Sequence, residues 1–238
     1  DTPTLDGDLS GWAADGIRDF NGDGLADVLI TSPNFGDDNR GRGYVVFGKT
    51  DSGPVALTEI GSGDAGELLD VIAPQGLTGF GAHGISLGDL NGDGLSEVGL
   101  VSTQFSRLIY LVNGRSVAGT AALSTSGPLN EVARIDYGPF SFEFGEDTCN
   151  CIQGRVAFNF PMGGRGDFNG DGRPDYVQAV RNYTLSEQEV FIFFDAPSGQ
   201  ESLTALFGPA DAPLDQSPAG VRIHSSQWFM SGETPMDL

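Results

Sequence analysis

Three nine-residue stretches carry oxygen-bearing side chains at the same spacing. They are residues 19–27, 89–97 and 167–175, and each contains an Asn-Gly-Asp-Gly centre. Side-chain oxygens stand at positions 1, 3, 5 and 9, and the backbone carbonyl of position 7 can turn toward the same centre. Hard oxygen ligands at this spacing suit Ca²⁺. The pattern predicts three calcium sites, whose ligands are Asp19, Asn21, Asp23, Leu25 and Asp27; Asp89, Asn91, Asp93, Leu95 and Glu97; and Asp167, Asn169, Asp171, Arg173 and Asp175.

An EF-hand loop begins in a similar way but is closed by a bidentate Glu at position 12, between two helices. In this chain position 12 is Ile30, Leu100 or Gln178, none of which supplies a carboxylate. The residues that follow each loop are mostly β-branched or aromatic and therefore resemble strands. A loop closed at position 9 that runs into a strand belongs to a β-hairpin, so EF-hand and dockerin-like interpretations are disfavoured.

The second loop is preceded by Gly79-Phe80-Gly81 and a run of small residues, and the first is preceded by Gly11-Trp12. With the metal loops, these elements resemble the FG-GAP repeats of the integrin alpha-subunit β-propeller and its bacterial relatives. The third copy is looser, and Glu97 replaces the usual Asp at position 9 of the second loop. The resemblance implies an all-β fold of β-propeller-type blades, each with four antiparallel strands and a calcium-binding hairpin loop.

The loops also set the length of the repeat. The distance from Asp19 to Asp89 is 70 residues, and that from Asp89 to Asp167 is 78. We expect one partial or small β-propeller over residues 1–238, with three complete repeats plus a partial fourth, at approximately 1–60, 61–137, 138–210 and 211–238. The predicted strands that follow the loops are 28–32, 43–48, 55–60 and 68–73; 98–102, 108–112 and 131–136; 176–181, 189–194 and 202–207; and, opening the fourth repeat, 219–224 and 228–232.

Three blades and part of a fourth do not readily close a ring, because propellers have about 4 to 8 blades and closure protects the strand edges. The chain is therefore a segment of a larger propeller, a subunit that associates with other copies, or an unusually small closed ring. In the first two cases we expect residues 1–11 and 220–238 to contact further protein.

Charge and composition limit the classes of partner. The chain has 33 acidic and 12 basic residues, for a net charge of −21. This charge argues against nucleic acid and anionic membrane surfaces as partners. No apolar run is long enough to span a bilayer, and no signal-peptide pattern stands at Asp1, so we expect a soluble chain that is already processed or excised. The FG-GAP resemblance implies a protein that is secreted or at the cell surface.

Catalytic patterns are hard to find in the sequence. It contains no Gly-x-Ser-x-Gly elbow and no Gly-Lys phosphate loop. We therefore expect a non-catalytic extracellular module for adhesion, protein or glycan binding, or surface assembly. The alternative is the propeller part of a carbohydrate-active enzyme such as a polysaccharide lyase. Cys149 and Cys151 fit a local disulfide, a bond to another chain or two free thiols.

The second loop is expected to differ from the other two. Glu97 carries one more methylene group than Asp27 or Asp175, so its side chain must buckle to reach an equivalent ion or must bind it differently. We therefore expect this site to be the weakest or the most altered of the three.

Overall fold

The computed structural model describes residues 7, 9–36, 41–72, 78–104, 108–116, 119–124, 132–136, 161–162, 166–182, 187–195, 200–207 and 217–225. Within these ranges the chain is mostly β-strand, which agrees with the all-β prediction. The helical segments described are a 3-10 helix at Leu57–Glu59 and a short α-helix, α1, at Leu203–Phe207. The strands are β1 Ala14–Ile17, β2 Asp27–Ser32, β3 Arg42–Val46, β4 Gly66–Ile72, β5 Thr78–Gly88, β6 Glu97–Gln104, β7 Leu108–Val112, β8 Gly119–Ser124, β9 Val132–Asp136, β10 Pro161–Met162, β11 Tyr176–Asn182, β12 Glu187–Phe193, β13 Gln200–Ser202 and β14 Gly220–Ser225.

The described strands form three sheets, each built on four antiparallel strands. Sheet 1 contains β1-β2-β3-β4, sheet 2 contains β5-β6-β7-β9, and sheet 3 contains β10-β11-β12-β14. Loop 1 (residues 19–27), loop 2 (89–97) and loop 3 (167–175) each lie between the first and second strands of their own sheet. The prediction that each loop belongs to a β-hairpin is therefore confirmed.

Sheets 1 and 2 each gain a fifth strand that pairs in parallel with the fourth. In sheet 1, β8 lies beside β4, and in sheet 2, β13 lies beside β9. Neither added strand comes from the sheet that it extends. Each is supplied by the connection between the third and fourth strands of the next sheet along the chain.

Two apolar cores hold the sheets together. Phe20, Leu29 and Val98 belong to a core that joins sheet 1 to sheet 2. Leu90 and Tyr176 belong to a second core that joins sheet 2 to sheet 3. The alternation of inward and outward side chains along each strand supplies these faces, because successive residues of a strand point to opposite sides of a sheet.

Two predicted strands are helical in the structure. Residues 55–60 contain the 3-10 helix, where the Glu59 N–H donates to the carbonyl of Ala56 at 2.9 Å. Residues 203–207 form α1, because this turn brings the Phe207 ring against Phe191 and Phe193 in the second core, and packing outweighs strand propensity.

The predicted opening strand of a fourth repeat is also wrong in its role. Residues 220–225 form β14, which pairs antiparallel with β12 and so completes sheet 3. Residues 228–232, the rest of that predicted fourth repeat, lie outside the described residues. The described strands form three sheets and no closed ring. In the same part of the chain, no helix is long and apolar enough to cross a membrane.

Candidate metal loops

Loop 1 curls around the carboxylate of Asp19. Its Oδ1 accepts hydrogen bonds from the N–H groups of Gly22 (2.6 Å) and Asp23 (3.1 Å), and its Oδ2 accepts one from Gly24 (2.8 Å). Gly22 and Gly24 both have positive φ, at 83°, which glycine adopts without strain. The sequence of alternating oxygens and glycines therefore produces a tight loop by local interactions alone.

Positions 3 and 5 of loop 1 use the same kind of bond. The Asp23 N–H donates to Oδ1 of Asn21 at 2.9 Å, and the Leu25 N–H donates to Oδ1 of Asp23 at 2.7 Å. Side-chain oxygens that accept backbone N–H groups two residues onward are typical of Asx turns. These oxygens consequently stand along the inside of the curl.

The carboxylate at position 9 fastens the loop to the sheet. Asp27 is buried, and its Oδ2 accepts the N–H of Phe20 at 2.7 Å. Its Oδ1 accepts the N–H of Gly48, just beyond β3, also at 2.7 Å. One side chain thus joins the start of the loop, its end and the third strand of sheet 1.

Loop 2 repeats this arrangement with a longer side chain. Glu97 is fully buried, and its Oε2 accepts the N–H of Leu90 at 2.7 Å while its Oε1 accepts the N–H of Gly114 at 3.3 Å. Asp89 accepts the N–H of Gly94 through Oδ2 at 3.0 Å. Its other oxygen, Oδ1, is buried and has no hydrogen-bond partner among the described residues.

In loop 3, Asp167 accepts the same bonds that Asp19 accepts in loop 1. Its partners are the N–H groups of Gly170 (2.6 Å) and Gly172 (2.8 Å). At position 9, Asp175 accepts the N–H of Phe168 through Oδ2. Its Oδ1 is buried and has no hydrogen-bond partner among the described residues. Asp195 stands where sheets 1 and 2 have Gly48 and Gly114, and its carboxylate pairs with the guanidinium of Arg173 at 2.6 Å.

Gly48 and Gly114 hold the position 9 carboxylates, and the sequence patterns did not indicate them. Each comes two residues after the last residue of the third strand, Val46 or Val112. A Cβ at Gly48 would lie 2.4 Å from the carbonyl oxygen of Ala26, and one at Gly114 would lie 2.6 Å from Cβ of Leu95. Alignment of the sequence after the third strand, rather than around the loops, is the signal that could have found them.

The loops also contact one another in chain order. The Ser96 N–H donates to the carbonyl of Asp19 at 2.8 Å. A Cβ at Gly22, position 4 of loop 1, would meet Leu95 of loop 2 at 3.3 Å. In the same way, a Cβ at Gly92 of loop 2 would meet Arg173 of loop 3 at 3.2 Å. Loops 1, 2 and 3 therefore form a row with one repeated contact.

Burial makes the position 9 carboxylates hard to ionise. It raises the pKa of Glu97 to about 7, against the hydrogen bonds from Leu90 and Gly114 that lower it. Burial likewise raises the pKa of Asp27 and that of Asp175, and in both cases the other Asp residues of the loop add to the rise. A bound cation would offset both the burial and the repulsion.

Many of the predicted side-chain ligands accept hydrogen bonds from N–H groups of their own loop. In the part of the chain that the structure describes, no group of three or more His, Cys, Asp or Glu side chains is gathered as a metal site. The donor set nevertheless fits a hard cation, because it consists of carboxylate and amide oxygens and includes two buried oxygens, on Asp89 and Asp175, that have no hydrogen-bond partner among the described residues.

Comparison with known proteins identifies one of the three units. The family model described as FG-GAP repeat matches residues 10–46. This segment contains loop 1 with β1, β2 and β3, and the match confirms the predicted FG-GAP resemblance there. No curated protein matched the sequence. Sheets 2 and 3 repeat the strand order and loop position of sheet 1.

Of the other residues named in the sequence analysis, some belong to the described residues and some do not. Trp12, of the Gly11-Trp12 element, is 60% exposed and so is not a core residue. Cys149 and Cys151 lie outside the described residues.

Proposed function

We propose that this chain is an extracellular module of calcium-stabilised FG-GAP repeats, arranged as propeller-type blades, that acts without catalysis. Its role is adhesion, protein or glycan binding, or surface assembly. The observation that carries the proposal is the threefold recurrence of one loop, in which a buried carboxylate at position 9, on Asp27, Glu97 or Asp175, accepts the N–H of the residue at position 2.

Calcium would have a structural task in this arrangement. Each loop brings three carboxylates into one turn, and their mutual repulsion adds to the cost of burying the one at position 9. Positions 1, 3, 5 and 9, with the carbonyl at position 7, would hold the ion, which supplies positive charge and cross-links the hairpin. Binding energy of this kind contributes directly to folding stability.

The buried charges outside the loops are already used in pairing, which supports a role in presenting a surface. Glu67 pairs with Arg115, and Glu189 pairs with Arg222. A general acid or base must instead be able to reach the group whose proton it transfers. Among the described residues, these are structural ion pairs rather than groups that face a ligand: Glu67–Arg115 links β4 to the segment between β7 and β8, and Glu189–Arg222 links β12 to β14.

Thermal unfolding with Ca²⁺, with Mg²⁺ and with excess chelator tests the calcium part of the proposal. We expect Ca²⁺ to raise the midpoint, Mg²⁺ to have a smaller effect because it requires a stricter octahedral geometry, and elemental analysis to find three calcium ions per chain. An unchanged midpoint with no bound calcium would contradict it. A glycan array, run beside an assay for cleaved product, tests the non-catalytic part: cleavage would overturn it.

A further inference from the structure

The two added strands follow one spacing rule. Seven positions separate Val112, the last residue of β7, from Gly119, the first of β8. Seven positions also separate Phe193, the last residue of β12, from Gln200, the first of β13. In both cases the strand crosses to the previous sheet and pairs in parallel with its fourth strand.

Sheet 1 contains the equivalent segment without a sheet to receive it. Seven positions after Val46, the last residue of β3, stands Gly53, and the segment Gly53–Ala56 belongs to no described strand. The segment is mostly exposed, and Ala56 has extended backbone angles of φ −89° and ψ 130°. Pro54 has no N–H, but proline is compatible with an edge strand when it faces away from the partner.

Sheet 3 presents the opposite situation, because its fourth strand receives no added strand from the described residues. β14 pairs with β12, and no described strand lies on its other side. Because Phe194 donates its N–H to the carbonyl of Ala219, the antiparallel alternation directs the N–H of His224 away from β12, toward the open edge. Val221 and Ile223 on this strand are 41% and 48% exposed.

The loops show the same direction along the row, from sheet 1 to sheet 3. Position 2 is Phe20 in loop 1 and Leu90 in loop 2, and both side chains are buried in the core shared with the next sheet. In loop 3 this position is Phe168, which is 60% exposed. Position 4 of loop 3, Gly170, likewise has nothing within 4 Å of a Cβ, whereas Gly22 meets the loop that follows it.

The other end of the row is open in a complementary way. Position 10, the first residue after each loop, is Val98 in sheet 2 and Tyr176 in sheet 3, and both are fully buried against the preceding sheet. Its equivalent in sheet 1 is Val28, which is 40% exposed. Sheet 1 therefore has an apolar face suited to a preceding sheet, and sheet 3 has one suited to a following sheet.

We propose that a second copy of this chain docks head to tail, placing its Gly53–Ala56 as a parallel strand against β14 and its Val28 face against Phe168. This inference deepens the assembly role in the proposed function and rests on it. Donor and acceptor are present on one chain, and the docking continues the contacts that already join sheets 1, 2 and 3. Such an interface joins different surfaces, so it yields a ring if the rotation closes and a filament if it does not.

The intermolecular contact would lack one interaction found inside the chain. Between sheets 1 and 2, Arg115 beside the added strand forms an ion pair with the buried Glu67 of β4. Glu67 lies opposite Val45, the second-last residue of β3. The equivalent residue of β14, opposite Ile192 of β12, is Val221. Docking would thus depend on the backbone ladder and on apolar contact, and strand addition of this kind is a known mode of recognition.

Sedimentation velocity over a concentration series, in calcium-containing buffer, tests the inference. The wild-type chain should form species larger than the 24.9 kDa monomer. Ile223→Lys blocks the acceptor end, at β14, and Val28→Lys blocks the donor end, at the exposed face of sheet 1. Charged residues on exposed edges and faces oppose pairing. Ser62→Lys is the matched control, since Ser62 is exposed and follows Gly61, which lies beside β8 inside the row. Val55→Pro is a second donor variant, which removes an N–H without adding charge.

Each variant with one blocked end should be monomeric on its own, whereas an equimolar mixture of Ile223→Lys and Val28→Lys should form dimers that grow no further. Ser62→Lys should assemble like the wild type. The inference would be overturned by a wild-type chain that stays monomeric, or by blocked variants that assemble as the wild type does. Circular dichroism and calcium content are measured on the same samples. A folded monomer that binds calcium would refute the docking while leaving the calcium module intact.

Discussion

The backbone N–H of Gly48 donates a hydrogen bond to Oδ1 of Asp27 at 2.7 Å, across 21 residues of sequence. This bond connects the end of a metal loop to the third strand of its sheet. Loop 2 and sheet 2 contain the same connection, between Gly114 and Glu97. Each of these two loops is therefore bonded to its own sheet, and a substitution at Gly48 or Gly114 should destabilise the loop.

Gly48→Ala should destabilise the protein by about 1 to 3 kcal/mol, the usual cost of forcing a methyl group into a packed site. The added Cβ would lie 2.4 Å from the carbonyl oxygen of Ala26, a backbone atom that cannot move without disturbing the loop. Gly63→Ala is the matched control, because nothing lies within 4 Å of a Cβ there. Urea unfolding measures both, and equal midpoints for the two variants would contradict the steric argument.

Glu97→Gln should have opposite effects with and without calcium. Without metal, the pKa of Glu97 is raised from 4.5 to about 7 by burial, so the folded state holds the proton more tightly than the unfolded state does. The stability of the chelated protein should therefore fall as the pH rises from about 4.5 to about 7. Removing the charge should add about 1 to 3 kcal/mol above that window, at about 1.4 kcal/mol per pKa unit.

With calcium the order should reverse, because the variant lacks a carboxylate that is proposed to bind the ion. Thermal unfolding at several pH values, in calcium and in chelator, measures both effects. Glu59→Gln, at an exposed position, is the control for the loss of one acidic residue. If Glu97→Gln weakened the chelated protein at neutral pH, the unfavourable burial of the ionised carboxylate would be refuted.

The sequence predicted the features of this fold that are encoded locally. Oxygen side chains and glycines within nine residues are enough to specify loops 1 to 3, and the apolar runs after them are enough to specify β2 and β6. The added strands β8 and β13 were not predicted, because their pairing depends on a sheet edge supplied by a distant part of the chain. For the same reason, spacing alone placed β14 in a fourth repeat, although its partner is β12.

Single substitutions at position 5 should remove calcium ions one at a time. Asp23, Asp93 and Asp171 each accept an N–H inside their own loop, so an alanine there removes an oxygen ligand and loosens the turn. Each variant should bind two ions rather than three in equilibrium dialysis. Asp93→Ala should cost the least affinity, because Asp89 Oδ1 and the longer Glu97 already set loop 2 apart. Loss of the tightest site from Asp93→Ala would contradict that ranking.

The pair formed by Glu189 and Arg222 offers a test that does not involve metal. The Arg222 guanidinium donates to both oxygens of the Glu189 carboxylate, one of them at 2.8 Å, and both side chains are buried between β12 and β14. Removal of one partner leaves a buried charge without its counter-ion, so Glu189→Leu or Arg222→Met alone should cost about 3 to 5 kcal/mol. The double variant should recover most of this loss, because apolar side chains of similar volume avoid the desolvation of both ions. Urea unfolding of all four proteins in calcium completes the cycle. Additive losses in the double variant would show that the two residues stabilise sheet 3 independently, against the pairing seen in the structure.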